Sequence, residues 1–294
     1  MASQVERVVA SRSMVGEGAV WDEADAALWW VDIPQNLIHR FDPSTGQNTS
    51  IDFGEPVGCL ARRDAGGMVV AAKSGFYLFD HGTGERRALV DPEPDLKGNR
   101  FNDGGTDPSG RFWAGTMKDD GGPPERVGQF YRMDADHTVS AHFDKVFTTN
   151  GLAFSPSGDT LYYSDSNRDV RTIWACDYDL ATGTPSNRRV FFDTRSVAGR
   201  PDGGTVDADG CYWMAGVGGW QVVRLTPSGK VDRIIDMPVE RPSKPMFGGP
   251  GLDTLFVTSI GINLQDDPAQ PEAGNLFAIT GLGVTGVPQA RFKG

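Results

Sequence analysis

Cysteine and histidine are scarce: three and four residues in a chain of 294. Cys59, Cys176 and Cys211 are far apart, odd in number and form no CxxC pair. That fits reduced thiols in a cytoplasmic protein rather than a disulfide framework. A basic run is also missing. Lys and Arg total 28 against 39 Asp and Glu, a formal net charge of −11, which argues against nucleic acid or an anionic membrane surface as the main partner. The first residues, MASQVERVVASRSM, hold no long apolar run, so neither a signal peptide nor a membrane span is expected. No segment of about twelve residues or more keeps a helical period. There is no GxSxG elbow and no HExxH. One GxGxxG occurs, Gly281–Gly286, but only eight residues follow it. That is too little chain for the helix and strand of a dinucleotide fold.

What the chain does hold is turns and aromatic residues: 38 Gly, 19 Pro, 7 Trp and 16 Phe. One phrase recurs. Phe101–Gly110 reads FNDGGTDPSG, Thr149–Gly158 reads TNGLAFSPSG, and Arg200–Gly210 reads RPDGGTVDADG. In each, a turn glycine stands eight residues after an Asp or Asn: Asn102 to Gly110, Asn150 to Gly158, Asp202 to Gly210. Each phrase leads a β-rich run such as FWAGT, LYYSD or CYWMAG, then a second run such as QFYRMD, IWACDYD or VVRLT, then a turn. Six such units fit in the chain at roughly the forty-residue spacing of propeller blades. The expectation is all-β: a six-bladed β-propeller with four-stranded antiparallel blades, residues 1–294 forming one domain. The last unit has few residues left for a fourth strand, so residues 4–12 are predicted to complete it and close the ring.

Equal phase in a repeat means equal place in the fold. Asn102, Asn150 and Asp202 would therefore face one another where the innermost strands begin. Glu17 takes the matching place in the first unit, the count falls on Gly58 in the second, and Lys244 is a further candidate in the sixth. A single Asn-Gly or Asp-Gly is ordinarily just a turn. Oxygen donors in phase around a ring are different, because they are costly to desolvate unless a cation sits between them. All are oxygen ligands, which suit hard divalent ions. His39, His81, His137 and His142 fall in later strands or turns and read as surface or packing residues.

At these residues the chain resembles the gluconolactonase/regucalcin family, also called the senescence-marker-protein family. The matching motifs run nearly end to end: GEGAVW, VDIP, NRFNDGGTDPSGRFWAGTM, TNGLAFSPSGDTLYYSDS, RPDGGTVDADGCYW, KPMFGG and PEAGNLFAITGLGVTG. The resemblance implies one divalent metal ion held by Glu17, Asn150 and Asp202. Ca²⁺ comes first, with Zn²⁺, Mn²⁺, Mg²⁺ or Fe²⁺ as alternatives. It implies substrate contacts from Arg100, Asn102 and Asp120. The loop Asp119–Arg126 is shorter than in the animal members, which weakens the Asp120 assignment and bears on substrate identity.

The family includes sugar lactonases, so the expected partner is a small sugar lactone of the glucono-, galactono-, xylono- or arabinono- type. No nucleic acid, membrane or obligate protein partner is expected. Lactone hydrolysis needs an activated water and a sink for charge on the carbonyl oxygen. A divalent metal supplies either. Asp202 is read as both ligand and general base. Two alternatives remain open: a calcium-binding regulatory protein without catalysis, and an organophosphate or other ester hydrolase on the same site.

Overall fold

The computed structural model describes residues 3–294. Its 24 strands form six four-stranded antiparallel sheets arranged as a β-propeller. The only helical element among the described residues is a 3₁₀ turn at Thr194–Ser196. The innermost strands are β2 (Gly16–Asp22), β6 (Val57–Arg62), β10 (Asn99–Thr106), β14 (Thr149–Phe154), β18 (Arg200–Val206) and β22 (Pro242–Gly248). Each is followed in order by its second, third and fourth strands, except in the last blade. There β22 is followed by β23 (Thr254–Ser259) and β24 (Leu276–Thr280), and the outer place is taken by β1 (Gln4–Val9). β1 runs antiparallel to β24, with Gln4 opposite Thr280. The N-terminal closure expected from the sequence is thus present, over a slightly shorter span.

Burial explains why the inner strands read as apolar runs and the outer ones do not. β6 and β22 are buried along their whole length, whereas β9 (Arg86–Val90) is mostly exposed. The core is divided into six clusters, one between each pair of neighbouring blades. Cys59, Phe76, Phe101 and Phe112 join blades two and three. Trp213, Phe247, Leu255 and Phe277 join blades five and six. Burying aromatic and aliphatic surface between sheets is the main stabilising term of such a ring. The histidines serve this packing. His39 is buried and stacked on Trp30 at 4.7 Å, and His142 lies 4.7 Å from Trp113.

The last fourteen residues cross the lower end of the ring. Ala208 N–H donates to Thr285 O at 2.8 Å, and Gly286 N–H to Leu252 O at 2.7 Å. Phe292 N–H donates to Arg62 O at 2.8 Å, Lys293 N–H to Gly110 O at 3.0 Å, and Arg291 pairs with the buried Asp22. Blades one, two, three, five and six are all touched by this segment. Its residues Val287–Ala290 line a cavity of about 110 Å³ whose upper wall includes Lys244.

Candidate metal and substrate site

Every innermost strand carries one residue more than the stretch of partner strand it faces. In β10, Phe101 pairs with Thr116 and Gly104 with Ala114, so Asn102 and Asp103 oppose one residue. In β18, Asp202 and Gly203 occupy the same interval between Pro201 and Gly204. In β2 and β14 the bulge begins one residue later, just after Glu17 and just after Asn150. In β22 it contains Ser243 and Lys244. A bulge bends the strand and re-aims its side chains. Here six bulges form one layer across the ring, and the residues expected from the repeat phase stand in or beside them. In blade two the bulge holds Gly58. A Cβ there would lie 2.3 Å from the Phe101 carbonyl carbon and 2.6 Å from Asn102 N. Glycine is needed so that blades two and three can approach.

Glu17, Asn150 and Asp202 are all buried, at 4%, 2% and 5% exposure. The Asn150 amide nitrogen donates to Asp202 Oδ1 at 2.7 Å and to Ser166 Oγ at 2.8 Å. That orients the amide and leaves its Oδ1 buried with no hydrogen-bond partner among the described residues. Such an orphaned oxygen costs free energy unless something positive meets it. Glu17 accepts only the Gly18 N–H, at 3.2 Å. Its carboxyl is pushed well above the usual range, first by burial and then by the charges of Asp202 and Asp103. Burial also raises Asp202 to about 7, with Asp103 adding to the rise and Arg200 and Lys244 opposing it. Two acids that resist ionisation beside an unpartnered amide oxygen make a donor set suited to a hard divalent cation. No group of three or more His, Cys, Asp and Glu suited to a metal occurs among the described residues, so this set depends on its amide.

The remaining expected residues take different places. Asn102 donates to Thr149 O at 2.9 Å and accepts from Arg100 Nη1 at 2.7 Å. Arg100 is held in turn by Asp119, Nε to carboxylate at 3.0 Å. Asp120 is exposed, 3.6 Å from Lys118, and makes no hydrogen bond or ion pair with Arg100 or Asn102. Lys244 is buried and does reach the channel. Its Nζ meets Asp103 Oδ1 at 2.8 Å, and Asp103 Oδ2 accepts the Leu152 N–H at 3.0 Å. Sequence reasoning found Lys244 but not its partner. The signal for Asp103 was an acid directly after Asn102 inside an otherwise buried strand. Asp119, one residue before the expected Asp120, was also missed.

Comparison with known proteins agrees with this architecture. Residues 15–261 match the family model described as SMP-30/gluconolactonase/LRE-like region. Regucalcin of Xenopus laevis is 37% identical over 297 residues, covering 99% of both chains. A 6-deoxy-6-sulfogluconolactonase of Pseudomonas putida is 39% identical over 299 residues, covering 100% of both. Among solved structures, a luciferin-regenerating enzyme superposes with TM-score 0.92 at 31% identity, over 99% of this chain and 100% of that one. A calcium-binding protein, regucalcin, from Agrobacterium tumefaciens gives TM-score 0.91 at 30% identity, over 97% and 96%. With the bulge layer, the buried acids and these matches along nearly its whole length, the chain belongs to the SMP-30/gluconolactonase/LRE-like family.

Proposed function

We propose that this chain is a metal-dependent lactonase that opens an aldonolactone to the aldonic acid; its family membership supports sugar-lactone hydrolysis in general. The observation that carries this is the unpartnered, buried Asn150 Oδ1 on an amide bonded to Asp202, whose charge is in turn felt by the buried Glu17. Glu17, Asn150 and Asp202 would hold the ion. When bound, a divalent cation supplies positive charge for the lactone carbonyl and for the oxyanion that develops there. Calcium is the first candidate, because the Agrobacterium tumefaciens relative is described as calcium-binding.

The chain's own residues do the rest. Asp202 has one oxygen fixed by the Asn150 amide, and the other accepts no hydrogen bond among the described residues. It accepts the proton of the attacking water, a role worth about 10²–10⁴-fold in rate. Asn150 fixes the angle of that carboxylate. Arg100, braced by Asp119, and Asn102 stand beside the opening to bind sugar hydroxyls. Asp120 stays a candidate substrate contact from the loop above. A calcium-binding role without catalysis would need the ligands but not the Arg100–Asn102 pair. A cytoplasmic location rests on three unpaired cysteines, all buried.

The test is acid release by metal-stripped protein from D-glucono-, D-galactono-, D-xylono- and L-arabinono-lactones, with Ca²⁺, Mg²⁺, Mn²⁺, Fe²⁺ and Zn²⁺ restored singly. Release above the spontaneous rate with one of these ions, lost in Asp202→Ala, is expected. No release from protein that binds metal would reject the lactonase reading.

A further inference from the structure

Arg200 stands two residues before Asp202, as Arg100 stands two before Asn102. Arg100 is committed to Asp119 and Asn102. Arg200 donates to the Ser166 carbonyl at 3.2 Å and has no carboxylate at ion-pair distance among the described residues. Arg168, in the loop after β15 (Thr160–Asp165), is exposed, with neither a hydrogen-bond nor an ion-pair partner for its side chain among the described residues. Arg241 leads into β22. It donates to Ile262 O at 3.2 Å and lies 3.7 Å from Glu240. These three arginines surround one open hollow of about 620 Å³, floored by Val217 and Ile260, with Glu240 as its single acid.

The hollow opens at the same end of the ring as the candidate site. Residues two apart on a strand share a face and lie about 7 Å apart, so one sugar-sized ligand can touch both Arg200 and Asp202. Three guanidinium groups around one hollow repel each other; only Arg241 has an acid at ion-pair distance, while the charge of Arg200 is also felt by Asp202. In a chain of net charge −11, this local surplus of positive charge attracts anions. Guanidinium rather than ammonium is the fork that matches the oxygens of a carboxylate, sulfonate or phosphate. Buried ion pairs of the fold lie elsewhere, as at Asp22–Arg62 between blades one and two and Asp207–Arg224 within blade five.

We propose that Arg168, Arg200 and Arg241 form an anion subsite, and that the lactone bears a sulfonate, phosphate or carboxylate at the end remote from its ring carbonyl. The proposal rests on the lactonase reading for the other end of the ligand, but its binding half can be tested without turnover. Metal-loaded protein is titrated calorimetrically with gluconate, 6-phosphogluconate, 6-deoxy-6-sulfogluconate and glucarate. At least one ligand charged at both ends should bind roughly tenfold more tightly than gluconate, and that preference should shrink as salt rises. It should also fall several-fold in Arg168→Gln, whose side chain holds nothing else, and in Arg241→Gln. The tightest of the three names the terminal group. Equal binding of gluconate and all three, or a preference untouched in both variants, overturns the subsite. The lactones of the same compounds separate the two readings. Neutral lactones opened as fast as the charged ones would remove the subsite and leave the lactonase. A binding preference with no lactone opened would keep the subsite and remove the lactonase.

Discussion

Asn150 gives the site its geometry. Its amide nitrogen is spent on Asp202 and Ser166, and its oxygen has nothing to accept from. Asn150→Ala removes both a ligand and the brace on Asp202. It should weaken divalent-ion binding by about 10–100-fold, the range seen when ligand support is lost. Unchanged affinity by calorimetry would remove Asn150 from the ligand set. Asp202→Asn keeps the shape and deletes the charge and the base, so turnover should fall by about 10²–10⁴-fold even where the ion still binds. His39 makes a separate prediction. Burial lowers its imidazole to about 4, against 6.5 when free, and neither ring nitrogen has a partner. The unfolded chain therefore binds the proton that the folded chain refuses. Stability from this group is complete above pH 6.5 and is lost as the pH falls towards 4. The loss amounts to a few kcal/mol, because each tenfold drop in proton affinity is worth on the order of 1.4 kcal/mol. His39→Phe should flatten the fall in urea-unfolding free energy between pH 7 and pH 4.5, and an unchanged slope would assign the acid loss elsewhere.

At the scale of the strand, the bulge decides which residues meet. Asn102, Asn150 and Asp202 were legible because each stands eight residues before a turn glycine, and Glu17 because the same count reaches Asp25 in the acidic turn of the first hairpin. The bulge was not legible, because it is a relation between two strands and leaves no mark in either one. Hence Asp103 went unnoticed beside Asn102; Asp119 was missed for another reason, that its contact with Arg100 joins the loop after β11 (Phe112–Lys118) to β10. Hence too the one-residue offset of the bulge in β2 and β14 was invisible. The meaning of Gly58 lies in its neighbour. Gly58→Ala would drive a methyl group to 2.3 Å from the Phe101 backbone. It should cost about 2 kcal/mol or more and disturb turnover through Asn102. Gly105→Ala in the next blade is the control, since nothing lies within 4 Å of its added carbon. If both variants unfold at the same denaturant concentration, close packing is not what Gly58 provides.

At the scale of the molecule, neither the six cores nor the lower cavity could be placed from sequence, because each is built by residues from separate blades. The blade count and the identity of the closing strand were legible, because a repeat that runs out of residues must borrow some. The C-terminal segment was not, since its backbone hydrogen bonds can be made by any sequence and its side-chain partners, such as Asp22 for Arg291 and Phe112 for Phe292, lie far off in the chain. Removing residues 287–294 should lower the thermal midpoint by several degrees, given its bonds to Arg62, Asp64 and Gly110. An unchanged midpoint would make the segment an ornament. The joining of β1 to β24 also imposes an order in time. Arg7 meets Glu272 across 265 residues of chain, so β1 must wait for β24 to be made. Through that interval β1 has no sheet to join and is an exposed edge. During synthesis, the hazard lies in β1 pairing with a stray strand of another nascent chain before β24 appears.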